Sequence, residues 1–85
     1  MHPMATDQIK VLLFARLSEQ AGWREQNLPI SKHSTPEAIW QQLKLGPPGV
    51  MPAQVRIAIN QQFAALDTPL HPGDELAFMP AISGG

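Results

Sequence analysis

The chain has 85 residues, a formal charge of −1 and no cysteine. That length makes one domain, small but above the size at which disulfides or metals must staple a core. The missing cysteine excludes disulfides, thiolate metal sites and side-chain sulfur chemistry, and six scattered Lys/Arg leave no basic footprint for nucleic acid.

Residues Met1 to Gln8 lack a basic segment followed by an apolar one, so they are not a secretory signal. They read as a disordered lead-in, with Met4 an alternative start. The next segment, Ile9 to Arg16, reads as a strand. At period two, Ile9, Val11, Leu13 and Ala15 share a core face, whereas Lys10, Leu12, Phe14 and Arg16 share a mixed one. Leu17 to Ala21 makes a short helix stopped by Gly22. Trp23 to Ile30 is a second strand, with Leu28 and Ile30 inward and Pro29 at an edge position; an antiparallel hairpin is its simplest pairing with the first strand.

The main helix is expected from about Thr35 to Leu45. Ser34 and Glu37 have capping-box spacing, and Thr35 before Pro36 offers an N-cap with proline at the first helical position. Ile39, Trp40 and Leu43 fall on one stripe, which makes Trp40 either a core residue or a stacking platform for a ligand. Gly46, Pro47 and Pro48 should end the helix, and Pro47 to Pro52 is a loop. Val55 to Asn60 is a strand with Val55, Ile57 and Ile59 inward. The chain reverses at Asn60-Gln61-Gln62, and Phe63 to Leu66 continues as a short strand or bridge. Turns follow, with Pro72-Gly73 fitting the centre of a type II turn. Glu75 to Met79 is the last strand, with Leu76 and Phe78 inward and Ala77 and Met79 outward, and Pro80 closes it.

This order places the first and last strands side by side as a central parallel pair, joined through the helix. The predicted fold is α+β, a β-grasp (ubiquitin-like) domain over residues 9–79, with a mixed sheet and one main helix packed on one face. Residues 1–8 precede it, and a flexible, extended tail over residues 80–85 follows. Pro80 stiffens the root of that tail, and Ser83, Gly84 and Gly85 leave its tip thin, because glycine carries no Cβ. The tip is either a frayed terminus or a carboxylate built to be threaded into another protein's active site. Leu12, Phe14, Ala58, Ala77 and Met79, with Phe63 beside them, should form an apolar patch at the tail's root, rimmed by Lys10, Arg16, Arg56 and Glu75. Such patches mark docking surfaces, although scattered exposed apolar residues are also normal.

No catalytic machinery accompanies this arrangement. The histidines His2, His33 and His71 are far apart, and no serine sits in a nucleophile motif, P-loop or Rossmann pattern. No bound metal or cofactor is expected. The longest apolar run, Val11 to Ala15, is far too short for a membrane span, and a cytoplasmic protein is the default.

Four motifs occur in order: Phe14-Ala15-Arg16-Leu17-x-Glu19, Ala58-Ile59-Asn60, Asp67-x-Pro69-Leu70-x-x-Gly73-Asp74-Glu75 and Ser83-Gly84-Gly85. Over residues 9–85 the chain resembles the MoaD family, the small, sulfur-carrier subunits of molybdopterin synthase. The resemblance implies that an E1-like adenylyltransferase uses ATP to activate the Gly85 carboxylate. A sulfur donor enzyme then converts it to a thiocarboxylate. The tail, with Gly84 and Ser83, would enter the active site of the large synthase subunit in a heterotetramer, where sulfur serves dithiolene formation in molybdenum cofactor biosynthesis. The carrier would be the non-catalytic partner. Its docking residues would be Phe14, Phe63 and Met79, with Leu12 alongside; Met79 stands where an aromatic is commoner. The alternatives are the sulfur carrier for thiamin thiazole synthesis, a ubiquitin-like modifier joined to target lysines, or a plain binding module.

Overall fold

The computed structural model describes residues 7–30, 34–45 and 55–80. Their elements run β1 (Gln8–Leu13), α1 (Arg16–Ala21), β2 (Glu25–Pro29), α2 (Pro36–Gln42), β3 (Val55–Ile59), β4 (Gln62–Phe63) and β5 (Glu75–Pro80). The five strands form one sheet in the order β2-β1-β5-β3-β4. β1 and β5 run parallel, from Lys10 beside Glu75 to Leu13 beside Phe78. β2 pairs antiparallel with β1, and β3 pairs antiparallel with both β5 and β4. This is the β-grasp arrangement that the element order predicts.

Alternation decides which face is covered. Ile9, Val11 and Leu13 of β1, Ile57 of β3, and Leu76 and Phe78 of β5 all point to one side and are buried. α2 lays Ile39 and Trp40 onto that side, and Leu17, Leu28 and Leu70 complete the cluster. Trp40 is 2% exposed and meets Phe78 edge-on, with ring centroids 5.3 Å apart at 63°. Such a pair contributes roughly 1 kcal/mol beyond its buried area. Trp40 is therefore core and offers no stacking platform.

Of the two possible caps for α2, Thr35 is the one used. Its backbone is extended (φ −133°, ψ 162°) with Pro36 at the start of the helix, and its Oγ1 accepts a hydrogen bond from Ala38 N at 3.2 Å. Glu37 N donates to the Leu66 carbonyl at 3.1 Å, so a second orphan amide of the first turn is satisfied from outside the helix.

Several boundaries differ from expectation, each for a local reason. β1 begins at Gln8, inside the expected lead-in, because Gly73 N donates to the Gln8 carbonyl at 2.8 Å and Ile30 N to that of Asp7 at 3.0 Å. β1 stops at Leu13 rather than Arg16, since Ala15 turns the chain at φ 54°, ψ −130° and lies exposed instead of on the core face. α2 ends at Gln42, short of Leu45. Lys44 takes a left-handed conformation (φ 55°), Lys44 N donates to the Gln41 carbonyl at 3.1 Å and Leu45 N to that of Trp40 at 3.3 Å. This is a Schellman stop with lysine in glycine's usual place. β2 is trimmed to Glu25–Pro29 and lies at a sheet edge, where a proline without N–H is tolerated. Of Phe63 to Leu66, only Phe63 remains in a strand. Residues 1–6 of the expected 1–8 lead-in, the helix stop at Gly46 and the loop over 47–52 lie outside the described residues. None of the described helices is long and apolar enough to cross a membrane.

Candidate functional site

The sheet face opposite α2 is assembled by register. One row crosses four strands: Leu12 of β1 lies beside Ala77 of β5, which faces Ala58 of β3, which faces Phe63 of β4. The next row holds Phe14, Met79 and Arg56. Met79 faces Arg56 directly, and Phe14 N extends the β1–β5 ladder by donating to the Phe78 carbonyl at 3.2 Å. At the usual strand spacing the first row is roughly 14 Å wide. The four large residues of the predicted patch, Leu12, Phe14, Phe63 and Met79, thus share one face and lie close together.

Their exposures differ in a way that shapes the face. Phe14 is 45% and Phe63 72% exposed, while Ala58 and Ala77 are only 7% exposed each. The sequence reading counts those alanines as exposed patch. Instead they form a low floor between taller neighbours, with the two phenylalanines standing at opposite ends. Leu12 and Met79 are half-buried between them. Beside Phe14, a groove of about 480 Å³ runs past Ala15, Ser18 and Glu19 of the α1 turn to Arg24 and Glu25 at the start of β2.

Charges sit at the rim, with one exception. Lys10 Nζ lies 3.9 Å from Glu25 Oε2, an exposed pair of little energetic weight. Arg56 is the exception, because it stands within the apolar face with its guanidinium carbon 5.6 Å from the centre of the Phe63 ring. The sequence reading places Arg56 only at the rim.

The Phe14 end of the face is set by a strained turn. Leu17 N donates to the Phe14 carbonyl at 3.1 Å, and Ser18 N to that of Ala15 at 3.0 Å. Ser18 Oγ adds a bond of 2.7 Å to the same Ala15 carbonyl. With Ala15 at φ 54°, ψ −130°, Phe14 to Leu17 is a turn of type II′, whose first central position favours glycine.

A second cluster links two sequence motifs. Asn60 and Gln61 both have positive φ, 53° and 70°, and make the two-residue type I′ turn between β3 and β4. Asn60 Oδ1 accepts from Glu75 N at 3.0 Å, and Asn60 Nδ2 donates to Asp74 Oδ1 at 2.9 Å. Asp74 Oδ2 accepts from His71 N at 2.8 Å, and its imidazole Nδ1 lies 3.8 Å away. Asn60 thereby ties the β3–β4 turn to the Pro72-Gly73 turn before β5. The legible signal was an asparagine ending a strand and an aspartate closing a Pro-Gly turn. Among the described residues no group of three or more His, Cys, Asp or Glu side chains could hold a metal. The predicted tail residues Ser83, Gly84 and Gly85 lie outside the described residues; Pro80, the last described one, pairs with Val55 at the end of β5.

A match to the ThiS family spans residues 11–85. The chain belongs to the ThiS family. It is 31% identical to the molybdopterin synthase sulfur carrier subunit of Homo sapiens, over 92% of this chain and 94% of that one. It is 32% identical to the subunit of the same name from Escherichia coli, over 91% of this chain and 99% of the other. These relatives bear out the resemblance to the MoaD family. Among solved structures, SAMP1 from Haloferax volcanii superposes with a TM-score of 0.76 at 27% identity, covering 92% of this chain and 99% of that one. Urm1 from Trypanosoma brucei gives 0.70 at 17% identity, covering 98% and 100%, a likeness of fold alone.

Proposed function

We propose that this ThiS-family chain is a sulfur carrier that supplies sulfur to the large subunit of molybdopterin synthase. The observation that carries the reading is that the family match, with relatives named sulfur carrier subunits, extends through the closing Ser83-Gly84-Gly85. The Gly85 carboxylate attacks the α-phosphorus of ATP on an E1-like adenylyltransferase, forming an acyl-adenylate and releasing pyrophosphate. Sulfide-level sulfur supplied by a donor enzyme attacks the acyl carbon and displaces AMP, leaving a thiocarboxylate. The tail then enters the large subunit, where the thiocarboxylate sulfur bonds to the dithiolene precursor and water cleaves the acyl–sulfur bond, leaving the sulfur on the precursor and returning Gly85 as a carboxylate. Activation is needed because a bare carboxylate has no adequate leaving group. A sulfur held on a main-chain carbonyl also suits a chain without cysteine. Phe14, Phe63, Met79 and Leu12 dock the carrier on its partners in the cytoplasm, and the tail departs from the same end of β5 that carries Met79.

Intact-mass analysis tests this. After incubation with ATP, sulfide and the cognate adenylyltransferase, the chain should gain about 16 Da, the change from oxygen to sulfur. A variant lacking Gly85 should fold normally and gain nothing. An unchanged mass, with an adenylyltransferase shown to be active, overturns the proposal. A second reading has support from the small archaeal modifier protein 1 of H. volcanii, a solved structure 26% identical to this chain. As a modifier, the chain would instead form isopeptide adducts with lysines of many proteins.

A further inference from the structure

Among the described residues, Arg56 is the one cation set among the large apolar residues of the sheet face. Its neighbours there are Met79, directly across in register, and Phe63, whose ring its guanidinium overlies at 5.6 Å. A guanidinium presents five donors and an obligatory charge, and the ring face satisfies none of the donors. All seven Asp and Glu side chains of the chain belong to the described residues. The ion pairs found there join Lys10 to Glu25 and His71 to Asp74, and among the described residues no carboxylate pairs with Arg56. Register explains why. Glu75 is two rows away along β5, roughly 13 Å at strand rise, and Glu25 is three strands away, roughly 14 Å. If an apolar surface covered Phe63 and Met79 without offering an acceptor, it would strip water from an unpaired charge, at considerable cost.

We infer that the protein docking on this face carries a carboxylate aimed at Arg56, set within an apolar surface that receives Phe63 and Met79. This rests on the docking reading above and adds the partner's chemistry. The Phe63 ring holds the guanidinium over the face before binding, so less side-chain freedom is lost on association. Arg56 is then a specificity-determining residue: a partner lacking the acid is penalised, and the pair is written in charge as well as shape.

The test measures affinity for the large molybdopterin synthase subunit of the same organism at about 0.05 M and about 0.5 M salt. Arg56→Leu should fold normally, lose about tenfold or more in affinity at low salt, and show a flatter salt dependence. Arg56→Lys should retain the salt dependence while losing part of the affinity, because the bidentate fork is gone. Equal affinity and an equal salt slope for wild type and Arg56→Leu overturn the inference. Phe14→Asp serves as the separating control. If it abolishes binding while Arg56→Leu does not weaken it, the face docks without an acid and only the present inference fails. If neither variant alters binding, or wild type does not bind, the docking reading fails with it. The chain's own terminal carboxylate is distinguished by repeating the comparison with that carboxylate converted to an amide. Persistence of the Arg56→Leu loss there places the carboxylate on the partner, and its disappearance assigns the acid to the tail and overturns the inference.

Discussion

An Ala15→Gly substitution removes a side chain from a backbone held at φ 54°, ψ −130°, and the expected effect is stabilising. A residue with a Cβ in so sparsely populated a region costs on the order of 1–3 kcal/mol. Glycine relieves that cost but gives the unfolded chain more freedom, worth about 0.5–1 kcal/mol in the opposite sense. The lost methyl contributes little, since Ala15 is exposed. The balance is a gain of roughly 1 kcal/mol, or about 4–8 °C in Tm for a domain of this size. Thermal unfolding followed by circular dichroism, with urea titration to verify an unchanged m value, reads this directly. A Tm equal to or below that of wild type would show that the turn before α1 stores no strain, and the reasoning would fail.

Other substitutions probe the remaining devices. Lys44→Gly places the usual residue in the left-handed stop of α2 (φ 55°) and should add about 0.5–1 kcal/mol in urea unfolding. Asn60→Ala deletes two side-chain hydrogen bonds between the turns flanking β3 and β5 and leaves alanine at positive φ; a loss of about 1–2 kcal/mol is expected, measured the same way. Phe14→Asp alters a ring 45% exposed, so Tm should hold steady while binding to the large subunit weakens by about 2 kcal/mol or more in calorimetry.

The strands and their inward faces were legible because Ile9, Val11, Leu13, Leu76 and Phe78 alternate without interruption, and one register satisfies them all. Thr35 before Pro36 marked the start of α2 correctly. Its end was hidden, because Lys44 adopts a backbone conformation that glycine usually signals, and Gly46 two residues later drew the boundary outward. Ala15 misled for the same reason: a period-two pattern carries no trace of a II′ turn built on alanine. On the candidate site, alternation gives the face of Leu12, Phe14 and Met79, and the pairing of the short strand adds Phe63. What it could not give was the relief of that face, since the burial of Ala58 and Ala77 depends on which taller side chains flank them across strands. Residue type alone puts Arg56 at the rim, because strand register decides which cation stands over which ring.

The middle of the sheet joins Lys10 to Glu75, so its central seam closes only after nearly the whole chain has been looped back, an entropically slow step. During translation β1 and β2 emerge early but lack the strand that lies between β1 and β3. The face bearing Phe14 draws Ala77 and Met79 from that late strand. A nascent or prematurely terminated polypeptide therefore lacks the complete face, and on the proposed docking role it offers a partner no full surface until synthesis has passed β5.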